Sequence, residues 1–158
     1  MEKTNVMRIL SQNKIQYTAH RYADTGAISG MEVARVLHQN PARVFKTLVA
    51  VGASKRNYVF MIPVCKELDL KKAAQAVGEK KVEMLKAKEL LPLTGYIHGG
   101  CSPIGMKKRF PTVIDRSALQ FQTILFSGGK IGYQVELTLA DLGKVIPFDS
   151  SDLCVPGE

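Results

Sequence analysis

The chain has 158 residues, a net charge of +8 and an apolar share of 46%. That length suits one domain, and that apolar share is typical of a packed globular protein, which excludes a disordered chain. The sequence has neither the glycine repeat of collagen nor an apolar run of the roughly 20 residues that a membrane span needs. We therefore expect a single globular domain over residues 1–158.

Four segments begin with helix-start signals followed by apolar residues at helical spacing. The clearest is Ser29-Gly30-Met31-Glu32, where a serine and a glutamate three residues later have the spacing of a capping box. The residue after Val77, Gly78, is expected to end one of these helices. A further short helix is predicted over residues 86–91, closed by Pro92. The other three helix-start signals are Thr4, Asp69 and Thr138.

Apolar and β-branched segments predict the strands. Most strands follow one another through short turns rather than through regular βαβ units. The predicted fold class is therefore α+β, with a mixed, curled, β-barrel-like sheet of about six to seven strands and short flanking helices. The predicted strand segments are 17–22, 44–51, 57–64, 96–100, 112–115, 121–126, 131–137 and 145–148.

The positive charge is concentrated in two places. Seven lysines lie between residues 66 and 88 against four acidic residues, and Lys107-Lys108-Arg109 forms a second cluster. Such a surface attracts polyanions such as RNA, but a solvated lysine-rich face explains it equally well. Charge alone suggests a nucleic-acid partner without naming a binding module.

Lys46 is the first candidate functional residue, because it interrupts an apolar strand. In an extended segment it shares a face with Val44, Leu48 and Ala50. A lysine in such a place is costly to bury unless an anion or hydrogen-bond partners meet it, and it can serve as a base or as an anion clamp. The alternative is an edge-strand lysine whose amine reaches solvent.

Two glycine-rich loops are the second candidate. The segment Gly99-Gly100-Cys101-Ser102-Pro103-Ile104-Gly105 could present successive backbone N–H groups to a carboxylate, a phosphate or an oxyanion. The smaller segment Ser127-Gly128-Gly129 follows a predicted strand in the same way. Composition alone favours ordinary turns for both.

Three cysteines, Cys65, Cys101 and Cys154, cannot all pair, and no secretory signal is evident, so we expect a reducing cytoplasm. Cys101 could be a nucleophile only with a base or a positive field beside it, and strand alternation does not place His98 there. A buried, unreactive thiol is the default interpretation. Neither a metal motif nor a Walker or dinucleotide fingerprint is present, so we expect no metal and no cofactor.

Several short motifs follow in a characteristic order over roughly Thr4 to Asp152. In that order and spacing the chain resembles the YbaK family of bacterial Cys-tRNA(Pro) deacylases, free-standing relatives of the editing domain inserted in bacterial prolyl-tRNA synthetases. The resemblance implies a mixed β-barrel with flanking helices and the editing of mischarged aminoacyl-tRNA. Editing is needed because a synthetase pocket cannot strongly reject a near-isostere. The motifs are Phe45-Lys46-Thr47-Leu48, Leu70-Lys71-Lys72-Ala73-Ala74, Lys80-Lys81-Val82-Glu83-Met84, Thr94-Gly95-Tyr96, the 99–105 loop, Ser127-Gly128-Gly129-Lys130 and Val135-Glu136-Leu137.

The resemblance also implies roles for individual residues. The family's lysine corresponds to Lys46, which would anchor the 3′-terminal adenosine or orient the amino acid. The cysteinyl thiol of the substrate would attack its own ester carbonyl and release a thiolactone, while backbone N–H groups of the glycine-rich loop hold the oxyanion. The family has an aliphatic residue where this chain has Cys101, which argues against a nucleophilic Cys101. The residues implied in substrate binding are Tyr22, Gly99, Gly100, Ser102, Ser127 and Gly128.

Two alternatives stay open from the sequence. One is a deacylase for alanine or another small amino acid that uses an activated water, and the other is a non-catalytic tRNA-binding module of the same fold. The expected partner is the 3′ acceptor end of a mischarged tRNA, with prolyl-tRNA synthetase as an optional member of the complex. No membrane partner is expected.

Overall fold

The computed structural model describes residues 2–157. No helix in that range is both long enough and apolar enough to cross a membrane. The helices are α1 (Asn5–Gln12), α2 (Gly30–Val36), α3 (Leu70–Val77), α4 (Ala87–Thr94) and α5 (Leu139–Val145), with short 3₁₀ helices at Pro41–Arg43 and Arg116–Gln120. The strands are β1 (Thr18–Arg21), β2 (Phe45–Gly52), β3 (Asn57–Pro63), β4 (Val82–Met84), β5 (Thr112–Asp115), β6 (Ile124–Ser127), β7 (Tyr133–Leu137) and β8 (Asp149–Ser151).

The helix starts predicted from the sequence are confirmed as N-caps. At α2, Ser29 Oγ accepts a hydrogen bond from Glu32 N at 3.2 Å, and Glu32 Oε1 accepts one from Ser29 N at 3.1 Å. At the end of α3, Gly78 adopts the left-handed backbone conformation with φ of 72°. These signals are local, so the sequence alone locates them. The other confirmed caps are Thr4, Asp69 and Thr138.

The prediction that Pro92 closes α4 is wrong, because Pro92 lies inside that helix. Thr94 Oγ1 donates a hydrogen bond to Leu90 O at 2.7 Å, and Gly95 N donates one to Leu91 O at 2.9 Å. These two bonds hold the last turn of the helix beyond the proline. Gly95, with φ of 86°, then ends it.

The strands form two sheets, so the α+β class is confirmed, whereas the barrel-like single sheet of six to seven strands is not. An antiparallel three-stranded sheet has the order β1-β7-β6, and a mixed five-stranded sheet has the order β4-β2-β3-β5-β8. In the mixed sheet, β5 pairs in parallel with both β3 and β8. A parallel bridge between Val44 and Leu125 connects the two sheets.

Two predicted strands are wrong. Segment 96–100 is a turn, in which Gly100 N donates a hydrogen bond to Ile97 O at 3.0 Å and Gly99 has φ of 87°. A positive φ breaks an extended strand, and the paired glycines permit it. Segment 145–148 begins on the last residue of α5 and continues without strand pairing, and strand β8 begins at Asp149. The short strand β4 was not predicted.

Alternation along the strands builds two apolar layers. One face of each sheet packs with α1 and α5 in the larger core, which includes Phe45, Val59 and Val135. The other face of the five-stranded sheet is covered by Ala73 and Ala74 of α3. Burial on both faces fits the nearly continuous apolar sequence of β3.

The pairing of β2 leaves a gap that positions the candidate site. One edge of β2 pairs with β3 along residues 45–51. The other edge pairs with β4 from Ala50 to Gly52, accepts one further hydrogen bond at Val49 O from Leu85 N at 3.0 Å, and meets β6 at the Val44 bridge. Between those contacts the edge of β2 borders a cleft instead of another strand. This separation is also the physical reason that the two sheets do not close into one barrel.

Candidate functional site

A cleft of about 700 Å³ opens at the gap beside β2. Its walls come from β2, the start of α2, the segment joining β4 to α4, the 99–101 turn and one residue of β7. The lining is mostly apolar with a few polar groups, and its volume lies within the range of about 300–1,000 Å³ typical of small-ligand sites. The polar lining residues are Tyr22, Ser29, Glu32, Lys46, Thr47, His98 and Gln134.

Lys46 lies half-buried on β2, opposite Ile62 of β3, and lines the cleft. Among residues 2–157 it is the only lysine or arginine in this lining, and it takes part in none of the ion pairs. Glu32 is the only lining carboxylate in the same range, and hydrogen bonds from Ser29 lower the pKa of Glu32. That carboxylate is therefore occupied by the cap of α2, and the Lys46 ammonium remains available for an anionic or polar ligand.

Tyr22 is 3% exposed and contributes to the cleft wall at the exit of β1. Its backbone N–H donates a hydrogen bond to Gly132 O at 2.7 Å, and its ring belongs to a small apolar cluster with Ala27 and Val33. Tyr22 thereby fixes the segment between β1 and α2 against the end of the three-stranded sheet.

Residues 99–101, at the end of the turn in segment 96–100, contribute to the cleft wall. Gly99 and Cys101 line it, whereas the Gly100 N–H donates to Ile97 O. Within the described range, the N–H groups of Gly99 and Cys101 donate to no backbone or side-chain acceptor. Tyr96, whose hydroxyl donates to Ile104 O, holds the following loop in place. Two unoccupied N–H groups on a fixed turn are a suitable arrangement for an oxyanion.

The structure brings the two predicted glycine-rich loops into contact with each other. A Cβ atom on Gly100 would lie 3.3 Å from Ile131 N and 3.5 Å from Lys130 Cα, so the glycine permits close backbone packing. A Cβ atom on Gly129 would lie 3.3 Å from the Tyr96 ring. The 127–129 loop therefore packs against the 99–105 loop and lies outside the cleft lining.

Three of the seven residues predicted for the site line the cleft, namely Lys46, Tyr22 and Gly99. The other four, Gly100, Ser102, Ser127 and Gly128, are buried behind that lining within the described residues. Both serine hydroxyls accept turn hydrogen bonds. Ser102 Oγ accepts from Ile104 N at 3.3 Å, and Ser127 Oγ accepts from Gly129 N at 3.0 Å. These residues shape the loops and do not contact the cleft directly.

Cys101 is 7% exposed, and burial raises the pKa of its thiol to about 12. At neutral pH the sulfur is therefore a protonated thiol, the poorly nucleophilic form. His98 lines the cleft from an exposed position. Across residues 2–157, no three histidine, cysteine, aspartate or glutamate side chains are grouped so that they could hold a metal ion.

Sequence reasoning did not single out two polar side chains of the cleft, Thr47 and Gln134. Gln134 is 6% exposed, and both its Oε1 atom and Thr47 Oγ1 are buried without a hydrogen-bond partner among the described residues. In the sequence, Gln134 resembles the solvent-facing member of an alternating strand. The adjacent Lys46 was the signal that could have drawn attention to Thr47.

A polar network connects the three-stranded sheet to the segment that enters β2. Glu136 Oε2 accepts hydrogen bonds from Arg43 Nη2 at 2.5 Å and Thr123 Oγ1 at 2.6 Å. Glu136 Oε1 lies 2.8 Å from His20 Nε2. The pKa of Glu136 is lowered overall. Burial acts to raise this pKa, but the hydrogen bonds from Thr123, His20 and Arg43 have the larger combined effect. The network lies next to the Val44–Leu125 bridge along the chain, where the two sheets join.

Comparisons with known proteins identify the family. The model of the aminoacyl-tRNA editing domain matches residues 27–145. A relative from Enterococcus faecalis, named "Putative Cys-tRNA(Pro)/Cys-tRNA(Cys) deacylase EbsC", is 50% identical over 86% of this chain and 84% of its own.

Two solved structures have the same fold. A crystal structure described as "a putative trans-editing enzyme for prolyl tRNA synthetase" superposes with a TM-score of 0.85 at 22% identity, covering 98% of this chain and 100% of that one. The crystal structure of the hypothetical protein APE2540 superposes with a TM-score of 0.86 at 22% identity and the same coverage. By the match of the family model and the identity to its relative, the chain belongs to the aminoacyl-tRNA editing domain family.

Proposed function

We propose that this protein is a trans-editing deacylase that removes mischarged cysteine from tRNA(Pro) in the cytoplasm, with the whole chain, residues 1–158, as its editing domain. The observation that carries the proposal is the 50% identity to a relative named as a Cys-tRNA(Pro)/Cys-tRNA(Cys) deacylase. The cleft supports it, since its volume of about 700 Å³ is large enough for an aminoacyl ester and part of the terminal nucleoside.

Lys46 is the proposed anchor for the end of the tRNA. Its ammonium has no ion-pair partner within residues 2–157, and the nearby Glu32 carboxylate is engaged by the α2 cap. A free lysine binds phosphate or ribose oxygens as a mobile point charge. Lys46 thereby holds the ester in the cleft, and it forms no covalent bond to the acyl group.

The substrate supplies its own nucleophile in this proposal. The cysteinyl thiol loses its proton as its sulfur attacks the ester carbonyl carbon, the bond from that carbon to the ribose oxygen breaks, and the ribose oxygen takes up a proton. The products are a cyclic thiolactone and a tRNA with a free terminal hydroxyl. Because the attack is intramolecular, positioning supplies much of the rate. The N–H groups of Gly99 and Cys101, which have no acceptor in the described part of the chain, stabilise the oxyanion.

Exposed lysines beside the cleft are the proposed tRNA contacts. Lys86 and Lys88 are exposed and flank Ala87, which lines the cleft at the start of α4. Lysines in this position contact the phosphates of the acceptor end without reading its sequence. Selection of tRNA(Pro) then rests on a complex with prolyl-tRNA synthetase, which forms the second part of the proposal.

A deacylation time course tests the proposal. Cys-tRNA(Pro), Ala-tRNA(Pro) and Pro-tRNA(Pro) are each incubated with wild type, with Lys46→Ala and with the matched control Lys3→Ala, an exposed lysine outside the cleft. We expect loss of cysteine only, abolished by Lys46→Ala and unchanged by Lys3→Ala. The released product is identified by mass spectrometry as the thiolactone or as its hydrolysis product.

The other outcomes contradict specific parts of the proposal. Loss of alanine would move the protein to a water-dependent deacylase with the same fold. Binding of charged tRNA without any loss of amino acid would make it a non-catalytic module. Full activity of Lys46→Ala would remove the role given to Lys46 while leaving the deacylase activity in place.

A further inference from the structure

Gln134 lies in the middle of the three-stranded sheet, yet its side chain has no partner there. It is 6% exposed, lines the cleft, and is in register with His20 on β1 and Ser127 on β6. Both neighbours are engaged elsewhere, since His20 Nε2 contacts Glu136 Oε1 and Ser127 Oγ accepts from Gly129 N. The Oε1 atom of Gln134 therefore has no hydrogen-bond partner within residues 2–157.

Thr47, on β2, provides a second atom of the same kind in the lining of the same cleft. Its Oγ1 atom is buried and has no partner among the described residues. Buried polar groups in folded proteins are almost always hydrogen-bonded, and an unpaired one destabilises the fold. A ligand in the cleft that carries hydrogen-bond donors would complete both of these bonds.

The chemistry of the two oxygens restricts that ligand. An amide oxygen is an acceptor only, and a threonine hydroxyl oxygen can accept as well, so the group they bind must carry several N–H or O–H donors. If the substrate is a cysteinyl ester, its α-ammonium is the group with the most donors. Glu32, the only carboxylate in the lining across residues 2–157, is already engaged by Ser29 N at 3.1 Å.

We propose that Gln134 Oε1 and Thr47 Oγ1 bind the α-ammonium group of the aminoacyl ester and so fix the orientation of its side-chain thiol relative to the carbonyl. This inference rests on the proposed function and adds the recognition of the amino group to it. A neutral amide and a hydroxyl bind both the ammonium and the free amine, so the site accepts the substrate in either protonation state.

A pair of substrates that differ only in the amino group tests the inference. Cys-tRNA(Pro) is compared with 3-mercaptopropionyl-tRNA(Pro), which keeps the thiol and the ester but lacks the α-amino group. We expect Gln134→Leu to lower kcat/KM for Cys-tRNA(Pro) by about tenfold to a hundredfold, the range for a hydrogen bond to a charged group. The same variant should change kcat/KM for the deamino substrate by less than about twofold. Thr47→Val should follow the same pattern, and Gln134→Glu, which keeps an acceptor, should retain activity on Cys-tRNA(Pro).

Thermal unfolding of the same variants separates binding from structure. Because Gln134 Oε1 is unpaired in the absence of ligand, Gln134→Leu should melt at the same temperature as wild type or higher. An equal loss of kcat/KM on both substrates would overturn the inference. Failure of the Gln134→Leu variant to fold would also overturn the inference, since it would show that the amide has a structural role.

A measurement of probe binding tests the inference independently of catalysis. The probes are 3′-cysteinylamido-adenosine and its 3-mercaptopropionylamido counterpart, whose amide bonds replace the labile ester, and calorimetry measures their affinities. Wild type should bind the amino-bearing probe about tenfold or more tightly, and Gln134→Leu should remove that preference. Equal affinities in wild type would refute the inference. If the probes differ as expected but no tRNA is deacylated, the proposed function fails and the amino-group site remains.

Discussion

Replacing Glu136 with glutamine tests whether the polar network at the junction of the two sheets stabilises the fold. Glu136 accepts hydrogen bonds from Arg43 at 2.5 Å and from Thr123 at 2.6 Å, and it lies 2.8 Å from His20. Glutamine keeps the size of the side chain but removes its charge. The Arg43 guanidinium, whose side chain is 25% exposed, is then left without its counter-charge.

The expected loss in the free energy of unfolding lies between the values for a buried and for an exposed ion pair. Removing one partner of a fully buried ion pair costs about 3–5 kcal/mol, whereas a surface pair contributes about 0–1 kcal/mol. Since the Arg43 and Glu136 side chains are 25% and 20% exposed, we expect a loss of roughly 2 kcal/mol at pH 7. For a chain of this size that corresponds to a fall in Tm of about 4–8 °C.

Thermal and urea unfolding measure this loss, with Glu83→Gln as the matched control. Glu83 pairs with Lys81, but their side chains are 65% and 72% exposed, so the control should lose no more than about 0.5 kcal/mol. The pKa of Glu136 is lowered in the folded protein. The contribution of the ionised Glu136 carboxylate to the free energy of unfolding is therefore fully present above the unfolded-state pKa. It is lost as the pH falls through the folded-state pKa.

The difference in the free energy of unfolding between wild type and Glu136→Gln should accordingly become smaller as the pH is lowered below the ordinary glutamate pKa of 4.5. Equal Tm values for Glu136→Gln and Glu83→Gln at pH 7 would refute the reasoning. A difference that stays constant down to the acid transition would also refute it, because the loss would then not depend on the charge of Glu136.

Three further predictions follow from local geometry. At pH 8 an alkylating reagent should modify the exposed Cys65 and leave Cys101 unmodified in the folded protein, as mass spectrometry of the peptides would report. Ser29→Ala should lower the free energy of unfolding by about 1 kcal/mol in a urea titration, because it removes the α2 cap. Gly100→Ala should lower kcat for deacylation, because its Cβ would lie 3.3 Å from Ile131 N and push the two glycine-rich loops apart.

The sequence predicts those elements whose signals are local. The caps of α1, α2, α3 and α5 need only a few neighbouring residues, and all four are in place. The strands β2 and β3 are long, apolar and β-branched, which distinguishes them from turns without any tertiary information. In the 96–100 segment the strand-forming Tyr96 and Ile97 suggested a strand, but the left-handed backbone of Gly99 produces a turn.

The sequence does not predict features that depend on which strands pair. The gap beside β2 arises because β4 and β6 each meet only one end of that edge, and no local pattern encodes this. The burial of Gln134 is equally non-local, since it depends on tertiary packing around β7 and not on the strand's own pattern. Lys46 could be selected from its apolar surroundings, whereas Ser102 and Ser127 could not be recognised as turn residues until their backbone partners were known.

The raised pKa of Cys101 has a consequence for the durability of the protein. A deacylase that releases a thiolactone generates an acylating electrophile inside its own cleft, next to this sulfur. A thiolate there would open the ring by thiol exchange and leave the protein modified as a thioester. Because burial raises the pKa of Cys101 to about 12, the sulfur stays protonated at neutral pH, and under the proposed thiolactone mechanism the protein can carry a cysteine in this wall without being inactivated by the product.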